Sequence, residues 1–244
     1  MLGISTPSIG VRHLEIQRPE RHNALDIALY DALKLALTDA SHDPAIRVIV
    51  LSSTGKNFCA GNDLGDFKSA WPQPPNGPVY RFLEALYRFE MPIVAALQGA
   101  AIGIGATMLL HCDVIFASCQ AYLQFPFVDL GIAMEGGSSH LLLRLLGQAR
   151  AMEIVLSGRR VGSEEADRLG LISGIAENPV EAAFSFASMV AGKSPLAVRT
   201  TKRLSHLSLT SYFPERLETE IQEVNRLIVA KRTAEPPHHA QTVE

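Results

Sequence analysis

The stretch "DLGIAMEGGSSH" at 129–140 places one carboxylate, Glu135, between an apolar run and the glycine pair Gly136 and Gly137. An acid in that company has two readings. It is a loop tip or a helix start. Or it is a base held against a buried substrate, where desolvation raises a carboxyl toward neutrality and fits it for proton transfer. Two glycine-containing loops could serve such a base. In "GAAIGIGATM" the glycines Gly103 and Gly105 follow an apolar strand, but Met108 stands where a dinucleotide fingerprint needs its third glycine. Without GK[ST] the loop is not a phosphate loop either. These glycines either pack a helix tightly on a sheet or let a ligand reach exposed backbone N–H groups at a helix start. "CAGNDL" is a second loop of that kind, with Asn62 after Ala60-Gly61 and Asp63 able to cap a short helix. If the N–H groups of Asn62 and Ile104 pointed at one spot they would form an oxyanion hole. Spacing alone cannot establish that convergence.

Other constellations carry less. Ser138, Ser139 and His140 are adjacent, and the G-x-S-x-G elbow is absent because His140 occupies its last position. His111, Cys112 and Asp113 are contiguous, unlike metal-ligand spacing, and read as a helix end leading into a strand.

The elements that must position these groups follow from periodicity. "IGVRHLEIQ" (9–17) reads as a strand, and 24–40 as a helix with apolar residues at 25, 29, 33 and 37, capped by Asn23 or a neighbour. "DPAIRVIVLSS" is a turn and a buried strand whose continuous apolar run suits a parallel sheet. "WPQPPNGP" (71–78) is the strongest breaker, expected to be a mobile connector able to line or cover something, followed by a helix over about 79–89. "PIVAALQG", "DVIFAS" and "AYLQF" are further strands, with the apolar helix "ATMLLHC" between the first two. The rhythm of apolar strand, glycine turn and helix implies an α/β architecture with mostly parallel strands. Residues 139–157 read as helical, and Ser163 caps a helix stopped at Gly170. From 180 the chain is mostly helical, and 233–244 reads as a disordered tail. Leu217, Ile221, Val224 and Ile228 form an apolar stripe that calls for a partner surface, with packing inside the chain as the alternative.

The 244 residues are 47% hydrophobic, enough for one large core. A formal charge of −3 and no basic block longer than two residues argue against a nucleic-acid face. Three cysteines without a CxxC pair, and no signal peptide at the N-terminus, point to the cytoplasm. The most apolar stretch, 91–110, is interrupted by Gly99, Gly103 and Gly105 and reads as strand, turn and buried helix rather than a membrane span.

Taken together, "RPERHNALD", "DPAIRVIVLSSTGKNFCAGNDL", "PIVAALQGAAIGIGATMLLHCDVIFAS", "FPFVDLGIAMEGGSS" and "AMEIVLSGRRVGSEEADRLGLIS" resemble the crotonase, or enoyl-CoA hydratase/isomerase, family over roughly 9–205. The resemblance implies a ββα spiral core over 1–194 and a C-terminal helical trimerisation part over 195–232. It also implies an acyl-CoA thioester substrate and a homotrimer or dimer of trimers. Asn62 and Ile104 would occupy the oxyanion-hole positions. Ala24, Ala60, Asp63, Leu64 and Gly103 would line the substrate site with Thr107, Phe127 and Met134, and Arg21 and Lys56 would meet the CoA phosphates. Family hydratases place two glutamates where this chain has Thr107 and Phe127, neither of which can act as a base near pH 7. The "AIGI…T" helix, and Glu135 in its "EG" context, look more like peroxisomal-type Δ3,Δ2-enoyl-CoA isomerases. Such an isomerase would move one proton from C2 to C4 of a 3-enoyl thioester through a dienolate. It would need no metal or redox cofactor, CoA entering as part of the substrate. The alternatives are a hydratase, another crotonase-type thioester reaction, or a non-catalytic acyl-CoA-binding oligomer.

Overall fold

A computed structural model describes residues 1–74, 76–210 and 213–234. Strand β1 (Leu2–Ser8) turns at Gly10 into β2 (Val11–Ile16), and a short turn of helix leads to α1 (Ile27–His42). β3 (Val48–Ser53), α2 (Leu64–Ser69) and α3 (Pro78–Arg88) follow. Next come β4 (Ile93–Leu97), β5 (Ala100–Ile102), α4 (Ile104–Leu109), β6 (Val114–Ala117) and β7 (Tyr122–Gln124). α5 (Ser138–Ser157) is broken at Gly147, whose φ of 73° and ψ of 162° leave the helix. β8 (Arg160–Gly162), α6 (Ser163–Arg168), β9 (Gly174–Ile175), α7 (Pro179–Ala191), α8 (Pro195–Thr210) and α9 (Phe213–Ala234) complete the described chain.

Six strands form one sheet in the order β1-β2-β3-β4-β6-β9, parallel throughout except for β1 against β2. β5, β7 and β8 form a second, smaller sheet. The continuous apolar runs of β3 and β4 have a physical cause, since both faces of the sheet are covered. Ile49 and Leu51 join the main core with Ile93, Ala95 and Leu97, while Val48, Val50, Val94 and Ala96 pack with Ala183, Ala187 and Ala191 of α7. Alanine every fourth residue gives α7 a flat face that can lie close to the sheet. Each valine fully buried there contributes roughly 1.5–3 kcal/mol over leaving it exposed.

Several expectations are corrected. α1 is capped by Asp26, whose carboxylate accepts the Leu29 N–H at 2.8 Å. Asn23 is instead fully buried, its amide donating to Thr54 O and Asn57 O and accepting the Arg18 N–H, which ties three loops together. Gly162 holds the cap position of α6, and the Ser163 hydroxyl donates to Cys119 O at 2.8 Å. The breaker at 71–78 is fastened, not free: Trp71 is buried, and Gln73 and Asn225 of α9 exchange two bonds of 2.8 Å. Position 75 lies outside the described residues.

The apolar stripe Leu217, Ile221, Val224 and Ile228 does not face outward for a partner. All four residues are buried in the chain's own core, because α9 folds back across α3 and α5. α9 runs through Thr233 to Ala234, and positions 235–244, most of the expected tail, lie outside the described residues. Among the described residues no helix is long and apolar enough to cross a membrane.

Candidate active site

Three short segments lie side by side where the glycine loops meet. Cys59 N–H donates to Ala100 O and Ile102 N–H to Cys59 O, while Leu25 N–H donates to Gly61 O and Asp63 N–H to Leu25 O. The ladder with Leu25 therefore uses the Gly61 carbonyl and the Asp63 N–H and passes over the N–H of Asn62 between them. Gly103 has a positive φ, 54° with ψ −121°, before α4, and no atom lies within 4 Å of where a Cβ would be. Ile104 is the first residue of α4, so its N–H has no partner inside the helix. At Gly105 a Cβ would strike the Cys59 carbonyl, so a glycine is needed for α4 to approach the 59–63 loop.

Glu135 reaches this place from the other side. It is only 3% exposed; Oε1 accepts the Thr107 hydroxyl at 3.3 Å, and Oε2 is buried without a hydrogen-bond partner. Burial pushes its carboxyl up from 4.5 to about 8, the Glu220 carboxylate adds to the rise, and the Thr107 hydrogen bond works against it. The loop that carries it is tightly held. Glu135 O accepts both the N–H and the hydroxyl of Ser138, and Gly136 O accepts the His111 Nε2 proton at 2.8 Å. That bond fixes the His111 tautomer, since a carbonyl can only accept. Gly136 and Gly137 both have positive φ, and a Cβ on the first would crowd Thr107 and one on the second the Phe213 ring.

Tyr30 of α1 closes the circle. Its hydroxyl donates to Asn62 Oδ1 at 2.5 Å, and burial first, then the charge of Glu135, holds its phenol well above the ordinary range. Asn62, Ile104, Thr107 and Glu135 are thus linked, through Tyr30 on one side and on the other through Thr107, which also reaches Ile104 O at 3.3 Å.

The remaining expected residues are placed as follows. Phe127 is buried beside Phe125, their rings 6.4 Å apart, and Met134 is half-buried in a cleft between the 133–139 loop and α9. Ala24 and Ala60 lie in the meeting loops, Ala24 O accepting from Arg18 and Ala60 N–H donating to His22 O. Asp63 caps α2 and binds Arg18 at 2.7 Å, which holds its carboxyl below the usual range. Leu64 opens α2 with 75% exposure. Arg21 and Lys56 are exposed on neighbouring loops, which touch through Asn57 Nδ2 and His22 Nδ1 at 3.2 Å. Arg18 opens the quoted "RPERHNALD" stretch, but nothing local announces its pairing with Asp63, 45 residues on. Tyr30 and Glu220 reach the site from distant parts of the chain, and no local pattern marks either.

The chain matches the family model described as enoyl-CoA hydratase/isomerase over residues 7–238. It is 33% identical to a peroxisomal Δ(3,5)-Δ(2,4)-dienoyl-CoA isomerase of Arabidopsis thaliana, over 79% of this chain and 76% of that protein. It is 36% identical to a probable enoyl-CoA hydratase, EchA12, of Mycobacterium tuberculosis, over 82% of this chain and 75% of that one. The crystal structure of an enoyl-CoA hydratase/isomerase from Pseudoalteromonas atlantica superposes with a TM-score of 0.89 at 36% identity, covering 98% of this chain and 99% of the other.

Proposed function

The chain belongs to the enoyl-CoA hydratase/isomerase family, which makes it an acyl-CoA-handling enzyme, and within that family we propose that it is a Δ3,Δ2-enoyl-CoA isomerase with Glu135 as its one acid–base group. One observation carries the reading: Glu135 is a desolvated carboxyl with an unpartnered oxygen and a pKa near neutrality. That is the equipment of a proton shuttle. The second carboxylate nearby, Glu220, already accepts two backbone N–H groups, and Thr107 and Phe127 offer no base. A pair of acids to hold and activate a water is therefore lacking at the positions that hydration would use.

In this mechanism the ionised Oε2 of Glu135 takes a proton from C2 of a 3-enoyl thioester. The electron pair of the C–H bond moves into the thioester, leaving a dienolate whose oxygen faces the Asn62 and Ile104 N–H groups. Removing one such donor in other enzymes costs about 2.7–4 kcal/mol. Glu135 then returns the proton at C4, and the double bond lies between C2 and C3. One carboxyl begins and ends ionised, so no net proton is exchanged with solvent. In this reading Phe127 and Met134 are the apolar side chains offered to the acyl chain.

Glu135→Gln tests this directly. The variant should lose about 10²–10⁴ in kcat on a 3-enoyl-CoA, while acyl-CoA affinity changes little. In the wild type, kcat/KM should rise with pH to a plateau through about 8, because the base must be ionised to begin. An unimpaired Glu135→Gln variant would sink the assignment. So would a wild type that hydrates 2-enoyl-CoA much faster than it isomerises 3-enoyl-CoA. Running a 3,5-dienoyl-CoA alongside tests the activity named for the Arabidopsis relative. Faster turnover there would reassign the substrate and leave Glu135 as the base.

A further inference from the structure

The first turn of α5 begins directly after Glu135, and its cap residue, Gly137, has no side chain to satisfy the free N–H groups of that turn. Glu220 of α9 does so from outside the helix. Its Oε2 accepts the Gly137 N–H at 2.6 Å and its Oε1 the Ser139 N–H at 3.0 Å. The carboxylate is 6% exposed, an expensive position for a charge unless several donors meet it. From the same helix Phe213 packs where a Gly137 side chain would be, lies edge-on to His111 at 5.7 Å, and stacks on Tyr87 at 3.9 Å. α9 therefore grips the segment that carries the base at two points.

We propose that Glu220 is a positioning residue for Glu135: by accepting the two N–H groups that open α5 it fixes the loop of the base and holds a second carboxylate beside it. The proposal rests on the reading of Glu135 as the base. The groups around the pair are few. Glu135 faces Thr107 of α4, Tyr30 of α1 and Glu220 itself. Glu220 has Arg216 one turn earlier on α9, whose guanidinium also reaches the Ser139 hydroxyl at 3.5 Å, and Ser139 of α5. His140 of α5 faces Arg216, His111 holds Gly136 O, and Glu215 and Glu223 line the cleft outside. Of these, Glu220 is the carboxylate that raises Glu135.

Glu220→Gln removes the charge and keeps the size and one acceptor. The test follows the Glu135 carboxyl by 13C NMR on protein labelled at glutamate, its resonance identified by its loss in Glu135→Gln. The midpoint of its titration should fall by about one pH unit or more in Glu220→Gln. The acidic limb of kcat/KM on 3-enoyl-CoA should move down with it. Glu223→Gln, which lines the cleft without holding the loop, should leave both where they are. A purely structural role would lower activity at every pH and leave the midpoint in place, and that result overturns the proposal. If Glu220→Gln does not fold, the wild type decides: the Glu220 carboxyl, assigned by backbone correlation, must ionise at lower pH than Glu135, and a Glu220 midpoint above that of Glu135 overturns the proposal. A carboxyl midpoint that shifts as expected in a wild type that never isomerises would refute the proposed reaction and leave the Glu220–Glu135 coupling standing.

Discussion

Replacing Glu135 by glutamine should change how the fold responds to pH, whether or not any substrate is present. In the unfolded chain this carboxyl is an ordinary one near 4.5, and in the fold burial and Glu220 hold it near 8. Between those values the unfolded chain has released the proton and the folded chain keeps it. Raising the pH therefore favours the unfolded chain. The stability this group contributes is fully present below 4.5 and is lost as the pH rises through about 8. At about 1.36 kcal/mol for each pH unit, the interval sets a ceiling of about 5 kcal/mol. That is a large part of the roughly 5–15 kcal/mol that holds a typical domain. Glutamine cannot ionise, so the variant escapes this loss. It places an N–H where Oε2 has no partner, which costs the variant about 1–3 kcal/mol at every pH. The assay is denaturant unfolding of both proteins from about pH 5 to about pH 9 at fixed ionic strength, so that other titrating groups cancel in the difference. The variant should gain on the wild type by up to about 1.4 kcal/mol per pH unit across the interval, and the gain should level off above it. Two parallel curves would mean that Glu135 ionises as an ordinary glutamate, and the argument for its desolvation would fail.

Tyr30→Phe removes the 2.5 Å bond to Asn62 Oδ1 and takes the tyrosine donor from that half-buried side chain. It should cost about 0.5–1.5 kcal/mol in denaturant unfolding. It should also lower kcat more than it raises KM, because the N–H of Asn62 is met fully only in the dienolate; an unchanged kcat would separate Tyr30 from the oxyanion donor. Replacing Arg21 and Lys56 together by alanine should weaken CoA binding, and more so at low salt, as measured by calorimetry at two ionic strengths. Equal affinities would remove these two exposed side chains from the site.

What could be read in the sequence depended on whether its cause was local. β3 and β4 were legible because burial on both faces leaves a continuous apolar run. β1 was not, since four consecutive residues of its seven are exposed and Pro7 sits among them. β8 and β9 are two or three residues long, too short for any period to show. Ser163 looked like a cap because its residue type suits one, yet Cys119 O draws its hydroxyl away. The stripe of α9 was visible, but the same spacing serves a partner's surface or the chain's own core, and only the tertiary fold distinguishes them. In the site, Glu135 stood out because an acid between apolar residues and two glycines is unusual, and Asn62 and Ile104 because glycines mark the loops. Tyr30 and Glu220 left no such mark, since their meaning arises only when α1 and α9 reach the loop.

The position of α9 in the chain also bears on the order of synthesis. Glu135, Thr107 and the glycine loops leave the ribosome first, and the helix that contributes Glu220 and Phe213 comes last among the described elements. Until it arrives, the N–H groups of Gly137 and Ser139, just beyond Glu135, lack their acceptor. A nascent or shortened chain can therefore carry Glu135, Thr107 and both glycine loops and still lack the contacts that hold them. The last of the described helices is a completion step: the surroundings of the Glu135 carboxyl are finished only after nearly all of the described protein has been made.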